Sequence, residues 1–187
     1  INIGARFDDR ITGKIDEFSP RSKKIHIDID PSSINKVIKV DIALVGDVKT
    51  VLEKLISVFK KGDPDFINSN KQRTAAWWSQ IETWRKKNSL GYINSKEVIK
   101  PQFAVQRLYE LTKAQDVFIT TEVGQHQMWA AQHYKFDKPN RWMTSGGLGT
   151  MGYGLPAAVG VQVANPDNLV IDIAGEASVL MTMQEMS

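Results

Sequence analysis

Residues able to hold a charged ligand follow three predicted strands in the second half of the sequence. They are residues 122–127 (EVGQHQ), the glycine-rich residues 145–154, and residues 175–178 (GEAS). In an open parallel sheet, ligands bind beyond the carboxyl ends of the strands. We therefore expect these three segments to meet at one edge of a sheet.

The segment 175–178 places the acid Glu176 at the start of a predicted helix. Backbone N–H groups and the helix dipole favour a diphosphate at such a position. An acid beside a diphosphate requires a cation between them, usually Mg²⁺, which takes few protein ligands. The pattern predicts a Mg²⁺-diphosphate ligand across the three loops. On spacing alone, a solvated acid in the first turn of a helix explains Glu176 equally well.

The glycine-rich segment also contains G-x-G-x-x-G at residues 147–152, and Asp172 stands twenty residues further on. This spacing resembles a nicotinamide-binding fingerprint. The acid of that fingerprint should end a strand, whereas Ile173 and Ala174 continue the apolar run beyond Asp172. The pattern therefore favours a different ligand, with a Rossmann dehydrogenase as the lesser alternative.

Composition excludes several classes of protein. The 187 residues carry a net charge of +3 and no cysteine, which excludes disulfide scaffolds, thiolate metal sites and cysteine nucleophiles. No apolar run reaches the roughly 18 residues of a membrane span. The first half is basic, but its lysines are scattered over predicted helix faces. We predict neither a nucleic-acid nor a membrane partner.

Strands and helices alternate regularly after Pro101. Strands are predicted at residues 116–121, 141–144 and 168–173, and helices start at Pro101, near Glu122 and near Pro156. This alternation is typical of a doubly wound α/β domain with a parallel sheet. The first of these helices is expected to bury the apolar residues Phe103, Leu108 and Leu111.

The first half is less regular. Residues 23–30 alternate as a half-buried strand, and Asp47 caps a helix that stops at Gly62 and Pro64. The polar residues 62–72 are interpreted as a connector. A helix then follows, in which tryptophans indicate core or interdomain packing rather than a ligand site; they are Trp77 and Trp84.

Four motifs occur in a fixed order: GARFDDR at residues 4–10, HIDIDP at 26–31, EVGQHQMW at 122–129 and TSGGLGTMG at 144–152. Together they resemble the catalytic (large) subunit of acetolactate synthase, also called acetohydroxyacid synthase, a thiamine-diphosphate enzyme family. Glyoxylate carboligase and pyruvate oxidase share the fold and the glycine loop, but the first and third motifs favour acetolactate synthase. The sequence lacks an initiator Met and a targeting segment and stops within a predicted helix, so we interpret it as an internal fragment.

The resemblance implies two partial α/β domains with doubly wound parallel sheets. Residues 1–70 would be the C-terminal half of a central FAD-binding domain, and residues 71–100 a helical linker. Residues 101–187 would be the N-terminal half of a thiamine-diphosphate-binding (pyrophosphate) domain. The FAD of this flavoprotein family is largely structural, and its implied contacts are Gly4, Arg6, Asp28, Asp30, Asp47 and Val48.

The resemblance also implies the thiamine-diphosphate site. Gln125, His126 and Met151 would act at the reacting centre, with Met151 as the wedge that bends the cofactor. The implied binding residues are Val123, Gly124, Gln125, His126, Gly149, Met151, Ala177 and Ser178.

Glu176 departs from the family pattern. The family's magnesium motif begins Gly-Asp, so Glu176 is implied to be the Mg²⁺ ligand with one extra methylene. Because Mg²⁺ demands near-ideal octahedral geometry, we expect weaker binding or a shifted loop. A second magnesium ligand and the glutamate that activates the cofactor would lie outside these residues, so the isolated chain is predicted to be inactive.

The implied activity is that of a transferase in branched-chain amino-acid biosynthesis. It decarboxylates pyruvate and joins the product to a second 2-keto acid, giving 2-acetolactate or 2-aceto-2-hydroxybutyrate. The alternatives are another thiamine-diphosphate carboligase or decarboxylase, a Rossmann dehydrogenase, or a degenerate non-catalytic homologue. The implied partners are a second copy in a homodimer or homotetramer, and a small regulatory subunit. The expected location is cytoplasmic in a bacterium, or an organelle in a plant or fungus.

Overall fold

A computed structural model describes residues 1–62 and 65–187, which form two units, Ile1–Thr83 and Trp84–Ser187. Each unit contains a three-stranded parallel sheet with helices, in agreement with the predicted α/β class. Pro64, the predicted helix stop, lies outside the described residues. No helix among the described residues is long and apolar enough to cross a membrane.

The first unit is built on the strand order β1-β2-β3. Its strands are β1 (Asn2–Ile3), β2 (Ile25–Asp28) and β3 (Ile42–Val45), and its first two α-helices are α1 (Asp9–Thr12) and α2 (Val48–Lys61). Short 3₁₀ helices cover Ile15–Glu17 and Pro31–Ser33. The central strand β2 buries Ile27 and His26. As predicted, Asp47 caps α2 by accepting a hydrogen bond from the backbone N–H of Thr50, and Gly62 ends the helix.

The predicted connector at residues 62–72 is wrong from Phe66 onward, because α3 spans Phe66–Arg85, while residues 63–64 of it lie outside the described residues. Residues 66–72 contain neither glycine nor proline, and their polar side chains are tolerated on an exposed helix. Trp77 is 58% exposed and Trp84 47%, so neither is a core residue of this chain.

The second unit has the strand order β5-β4-β6. The strands are β4 (Val117–Thr121), β5 (Trp142–Thr144) and β6 (Leu169–Ile173), and the helices are α4 (Pro101–Thr112), α5 (Gln125–His133), α6 (Gly154–Ala164) and α7 (Glu176–Leu180). A 3₁₀ helix covers Met183–Met186. Every residue of the central strand β4 is buried, as expected for a parallel sheet covered on both faces.

The core of the second unit lies between the sheet and helix α4. Its buried cluster consists of Val105, Val117, Ile119 and Tyr134. The prediction for α4 was partly wrong: Leu108 packs against this cluster, but Phe103 is 42% exposed and Leu111 62%. The inward face runs instead through Val105, Leu108 and Thr112, because a helix presents residues three and four apart to the same side.

Candidate functional site

The strand order of the second unit opens a crevice at the carboxyl ends of β4 and β6. The chain passes from β4 to β5 on one side, and then to β6 on the other side of β4. The segments that leave β4 and β6 therefore diverge, which is the arrangement that creates a ligand site in open α/β sheets.

A cavity of about 480 Å³ occupies this crevice. Three chain segments line it: the residues after β4, the residues after β6, and one residue of the glycine loop. The lining residues are Val123, Gly124, Gln125, His126, Trp129, Met151, Ala174, Gly175, Glu176, Ala177 and Ser178. The structure thus brings the three predicted segments together.

All the residues predicted for thiamine diphosphate line this cavity except Gly149. Gly149 lies nearby, since a Cβ placed on it would be 3.8 Å from Cγ1 of Val123. Its positive φ of 68° suits glycine. Sequence reasoning did not select Trp129, Ala174 or Gly175, although Gly175 belongs to the Gly-Glu motif that it did use.

His126 is enclosed by two glycines from different segments. A Cβ built on Gly124 would lie 2.8 Å from Cε1 of the imidazole, and one built on Gly175 would lie 2.9 Å from the same atom. Among the described residues, Nε2 of His126 is buried without a hydrogen-bond partner. The ring therefore occupies space that is available only because both residues are glycine, while one of its nitrogens retains a free hydrogen-bonding site.

The glycine loop after β5 is fixed by its own hydrogen bonds and by helix α5. Oγ of Ser145 accepts a hydrogen bond of 2.9 Å from the backbone N–H of Thr150. Nε2 of Gln127 donates to Oγ1 of Thr144, at 2.7 Å, and more weakly to the carbonyl of Ser145, at 3.3 Å. These bonds tie the start of the loop to the helix that carries His126.

Sequence reasoning missed Glu122 as a separate residue of interest. Its side chain is fully buried. Oε2 accepts a hydrogen bond of 2.6 Å from the backbone N–H of Gly152, and Oε1 accepts one of 3.0 Å from that of Leu155. The available signal was its position, an acid directly after a strand.

Asp172 lies within β6, as the apolar run through it predicted, and not at a strand end. Its Oδ1 accepts a hydrogen bond of 2.9 Å from Oγ1 of Thr120 on the neighbouring strand β4. Burial raises the pKa of Asp172, the charge of Glu122 raises it further, and the Thr120 hydrogen bond opposes the change. Asp172 is therefore bonded to the neighbouring strand of the sheet. It does not lie at the strand end, where a nicotinamide-binding site needs an acid to bind the ribose.

Glu176 is exposed at the first position of α7. Beside it, Oγ of Ser178 donates a 3.1 Å hydrogen bond to the carbonyl of Gly175, and Ser178 is almost completely buried. The described part of the chain contains no group of three or more acidic or histidine side chains able to hold a metal ion. Glu176 is thus a single exposed carboxylate at the cavity.

The six residues predicted for FAD lie at one edge of the first sheet. Gly4 and Arg6 follow β1, Asp28 ends β2 with Asp30 just beyond, and Asp47 and Val48 follow β3. Since the strands are parallel, these positions share the carboxyl edge of the sheet.

The acids of this edge already have partners. Asp30 accepts hydrogen bonds from the backbone N–H and the hydroxyl of Ser32, which hold its pKa below the usual range. Asp28 accepts one from the backbone N–H of Asp30. Gly4 is different, because a Cβ placed on it would meet no atom within 4 Å. The backbone at Gly4 therefore faces open space.

Two family models match the chain. Residues 1–55 match the model described as the thiamine pyrophosphate enzyme central domain. Residues 122–187 match the thiamine pyrophosphate enzyme C-terminal TPP binding domain. Both matched segments thus belong to domain families of thiamine pyrophosphate enzymes.

Over nearly its whole length, the chain is similar to acetolactate synthase large subunits. It is 45% identical to the isozyme 3 large subunit of Escherichia coli over 99% of the chain and 32% of that protein. It is 48% identical to the large subunit of Buchnera aphidicola subsp. Schizaphis graminum over 99% of the chain and 31% of that protein. A third relative is acetolactate synthase 1, chloroplastic, of Oryza sativa, at 45% over 99% of the chain and 28% of that protein. The chain thus spans about a third of the length of these relatives.

The residues of the cavity fit the cofactor of the thiamine pyrophosphate enzymes. Its volume of about 480 Å³ lies within the roughly 300–1,000 Å³ of small-molecule sites. The bare glycines let a ligand approach the backbone closely, and Nε2 of His126 offers an unused polar atom. A single carboxylate, Glu176, also fits Mg²⁺, which is commonly held by one or two carboxylates together with phosphate oxygens and water.

Proposed function

We propose that this chain is part of the catalytic subunit of an acetolactate synthase. The full-length protein would decarboxylate pyruvate and join the product to a second 2-keto acid, forming 2-acetolactate or 2-aceto-2-hydroxybutyrate for branched-chain amino-acid biosynthesis. The observation that carries this proposal is identity of 45–48% over 99% of the chain to relatives with that name. The cavity at the carboxyl ends of β4 and β6 supports it.

Thiamine diphosphate would be bound in this cavity by the segments after β4 and β6. When bound, it supplies a nucleophilic carbon and an electron acceptor for the decarboxylation of a 2-keto acid. Val123 and Gly124 would contact it after β4, and Ala177 and Ser178 after β6. Gly149 and Met151 would contact it from the glycine loop.

The side chains of this segment would orient the reactants. The imidazole of His126 lies in the space left by the missing side chains of Gly124 and Gly175, and its free Nε2 would accept or donate a hydrogen bond there. Gln125 is exposed at the cavity and would contact the 2-keto acid. Met151 and Trp129 would exclude water from one part of the cavity. Such positioning is a major source of rate enhancement.

Glu176 would hold Mg²⁺ between the chain and the diphosphate of the cofactor. The exposure of Glu176 at the cavity supports this role. Within the described residues Glu176 would be the only carboxylate that this segment gives to the ion, since no group of three possible metal ligands is found there. The longer glutamate side chain would displace the ion or the loop relative to the aspartate of the family motif, so Mg²⁺ would bind more weakly than with aspartate.

FAD would bind at the carboxyl edge of β1–β3 with a structural role. The open space beside Gly4 and the exposed guanidinium of Arg6 support a nucleotide there. Within the described ranges, the acid paired with Arg6 is Asp8, whose Oδ2 lies 3.0 Å from its Nε. Asp28, Asp30, Asp47 and Val48 would complete the contacts.

The assembly is also part of the proposal. The full-length protein would form a homodimer or homotetramer and bind a small regulatory subunit. The site would be completed by a glutamate from a second copy, and the isolated chain would therefore form no acetolactate.

The test measures acetolactate formation from pyruvate by the full-length protein, titrated with thiamine diphosphate and Mg²⁺. Activity that requires both ligands supports the proposal. Loss of activity in Glu176→Gln supports Glu176 as the Mg²⁺ ligand. Glu176→Asp should lower the Mg²⁺ concentration needed for half-maximal activity, whereas Glu185→Gln, another exposed acid nearby, should behave as the unaltered protein. A full-length protein that binds thiamine diphosphate but makes no acetolactate would refute the proposed activity.

A further inference from the structure

Glu122 joins two parts of the site that are remote in sequence. It directly follows β4, and its backbone N–H donates a 3.1 Å hydrogen bond to the carbonyl of Ile173 at the end of β6. Its backbone is therefore fixed to both strands whose ends form the cavity. Its side chain is completely buried.

Both oxygens of this carboxylate are used by the far end of the glycine loop. Oε2 accepts from the backbone N–H of Gly152 and Oε1 from that of Leu155, at 2.6 and 3.0 Å. Leu155 is in the first turn of α6. One side chain thus accepts hydrogen bonds from two backbone N–H groups at the point where the loop becomes a helix. The first N–H groups of a helix have no partner within the helix itself, so they need an acceptor of this kind.

Gly152 is the neighbour of Met151, the residue through which the glycine loop reaches the cavity. Gly152 has a φ of 86°, and a Cβ on it would lie 3.0 Å from Cγ2 of Thr182. The backbone next to Met151 therefore has a special conformation and little space. The backbone N–H of Gly152 is the one that donates to Oε2 of Glu122.

We propose that Glu122 is a positioning residue, which holds the glycine loop in the conformation that brings Met151 to the cavity. It does not line the cavity itself, so it acts through the loop backbone. The effect of Glu122 on a bound cofactor rests on the proposed function. Its effect on the loop does not.

The test compares the full-length protein with Glu122→Gln, without any cofactor, by hydrogen–deuterium exchange of a peptide that covers residues 149–155. Glutamine keeps the size of the side chain but offers only one oxygen, so one of the two backbone N–H groups must face an amide NH₂. We expect exchange in this peptide to become about tenfold faster, since a hydrogen bond to a buried carboxylate is lost. Helix α4 should exchange at its original rate. Equal acceleration in α4, or none in the loop, would overturn the proposal.

Two further variants separate positioning from general stability. Glu122→Asp keeps both oxygens and should exchange more slowly in the loop than Glu122→Gln. Glu110→Gln, an exposed acid of α4, should change nothing.

A second measurement titrates thiamine diphosphate into the same proteins. We expect the Kd to rise about tenfold in Glu122→Gln, because the loss of this hydrogen bond loosens the Met151 side of the cavity. An unchanged Kd with a loosened loop would overturn the link to the cofactor. Failure of the unaltered protein to bind thiamine diphosphate would count against the proposed function alone, because the exchange experiment uses no cofactor.

Discussion

The imidazole of His126 lies where a side chain on Gly175 would begin. A Cβ on Gly175 would lie 2.9 Å from both Cε1 and Nδ1 of the ring, closer than non-bonded carbon atoms normally approach. Gly175 leaves β6 and His126 belongs to the helix after β4, so this contact joins the two sides of the crevice. Glycine is required here by the ring beside it.

Gly175→Ala should therefore displace the imidazole of His126. We expect thiamine diphosphate to bind the full-length protein roughly 10- to 100-fold more weakly, since small displacements in a site have effects of this size. Calorimetric titration measures the affinity. In a His126→Ala background the same alanine should have almost no further effect, because the ring that it meets is gone. Equal losses in both backgrounds would contradict the explanation.

Gly154→Ala should destabilise the second unit itself. A Cβ on Gly154 would lie 2.6 Å from the backbone nitrogen of Glu122 and 2.7 Å from the carbonyl carbon of Thr121. Backbone atoms of a central strand cannot move aside cheaply, so we expect a loss of about 1–3 kcal/mol or more in the free energy of unfolding. Denaturant unfolding measures it.

Gly160→Ala is the matched control for that substitution, in the same helix. A Cβ there would meet no atom within 4 Å, and alanine is the better helix former by about 0.5–1 kcal/mol. Gly160→Ala should therefore be neutral or stabilising. A loss similar to that of Gly154→Ala would mean that crowding is not the cause.

The ion pair of Asp116 and Arg141 predicts a specific sensitivity to acid. Hydrogen bonds from the Arg141 guanidinium, at 2.7 and 3.0 Å, are the main cause that lowers the pKa of Asp116 from 3.8 to about 2. The lowered pKa means that the stabilisation is complete above pH 3.8 and is lost as the pH falls toward 2. Arg141→Gln should show a smaller loss of stability over this pH range.

Thermal unfolding of the full-length protein between pH 5 and pH 2 would check this. Arg141 also packs on the ring of Phe118, 4.2 Å from its centroid, so its substitution lowers stability at every pH. The informative quantity is the change of the unfolding temperature with pH, not its value at any one pH. Lys14→Gln, which removes an exposed ion pair with Glu17, should leave the slope unchanged.

Asp172 predicts the opposite pH dependence. Burial raises its pKa above the ordinary value of 3.8, so its contribution to stability is complete below that value and is lost as the pH rises through the raised pKa. Asp172→Asn removes the buried charge and keeps an oxygen for the Thr120 hydroxyl. We expect the variant to gain stability relative to the unaltered protein at pH 7 and to lose this advantage at pH 3.

Asp167→Asn, at an exposed acid just before β6, is the control and should gain nothing at pH 7. The same experiment in a Glu122→Gln background tests the coupling between the two acids. Since the charge of Glu122 raises the pKa of Asp172, the gain from Asp172→Asn should become smaller there. An unchanged gain would mean that the two carboxylates do not interact.

The sequence predicted the fold of the second unit well because each element there has a clear local pattern. Apolar runs mark β4 and β6, and prolines and glycines mark the helix starts. The location of the cavity also followed, since parallel strands end at one edge of the sheet. The parts that failed depend on information that is not local.

Two failures illustrate this limit. The exposed face of α4, with Phe103 and Leu111, is apolar enough to be mistaken for the buried one, and only the position of the sheet distinguishes them. Glu122 has partners 30 and 33 residues away. No periodicity in the sequence around it reveals a contact at that distance.

The long span of these two hydrogen bonds also bears on the order of folding. The cap of the glycine loop and of α6 comes from a side chain 30 and 33 residues earlier in the chain, so closing it requires a large loop to be ordered first. Glu122 is itself fixed only when β4 pairs with β6, whose register places Thr121 opposite Ile173. We expect the sheet to assemble in the folding transition state and the glycine loop to order afterwards, so substitutions in the loop should accelerate unfolding rather than slow folding.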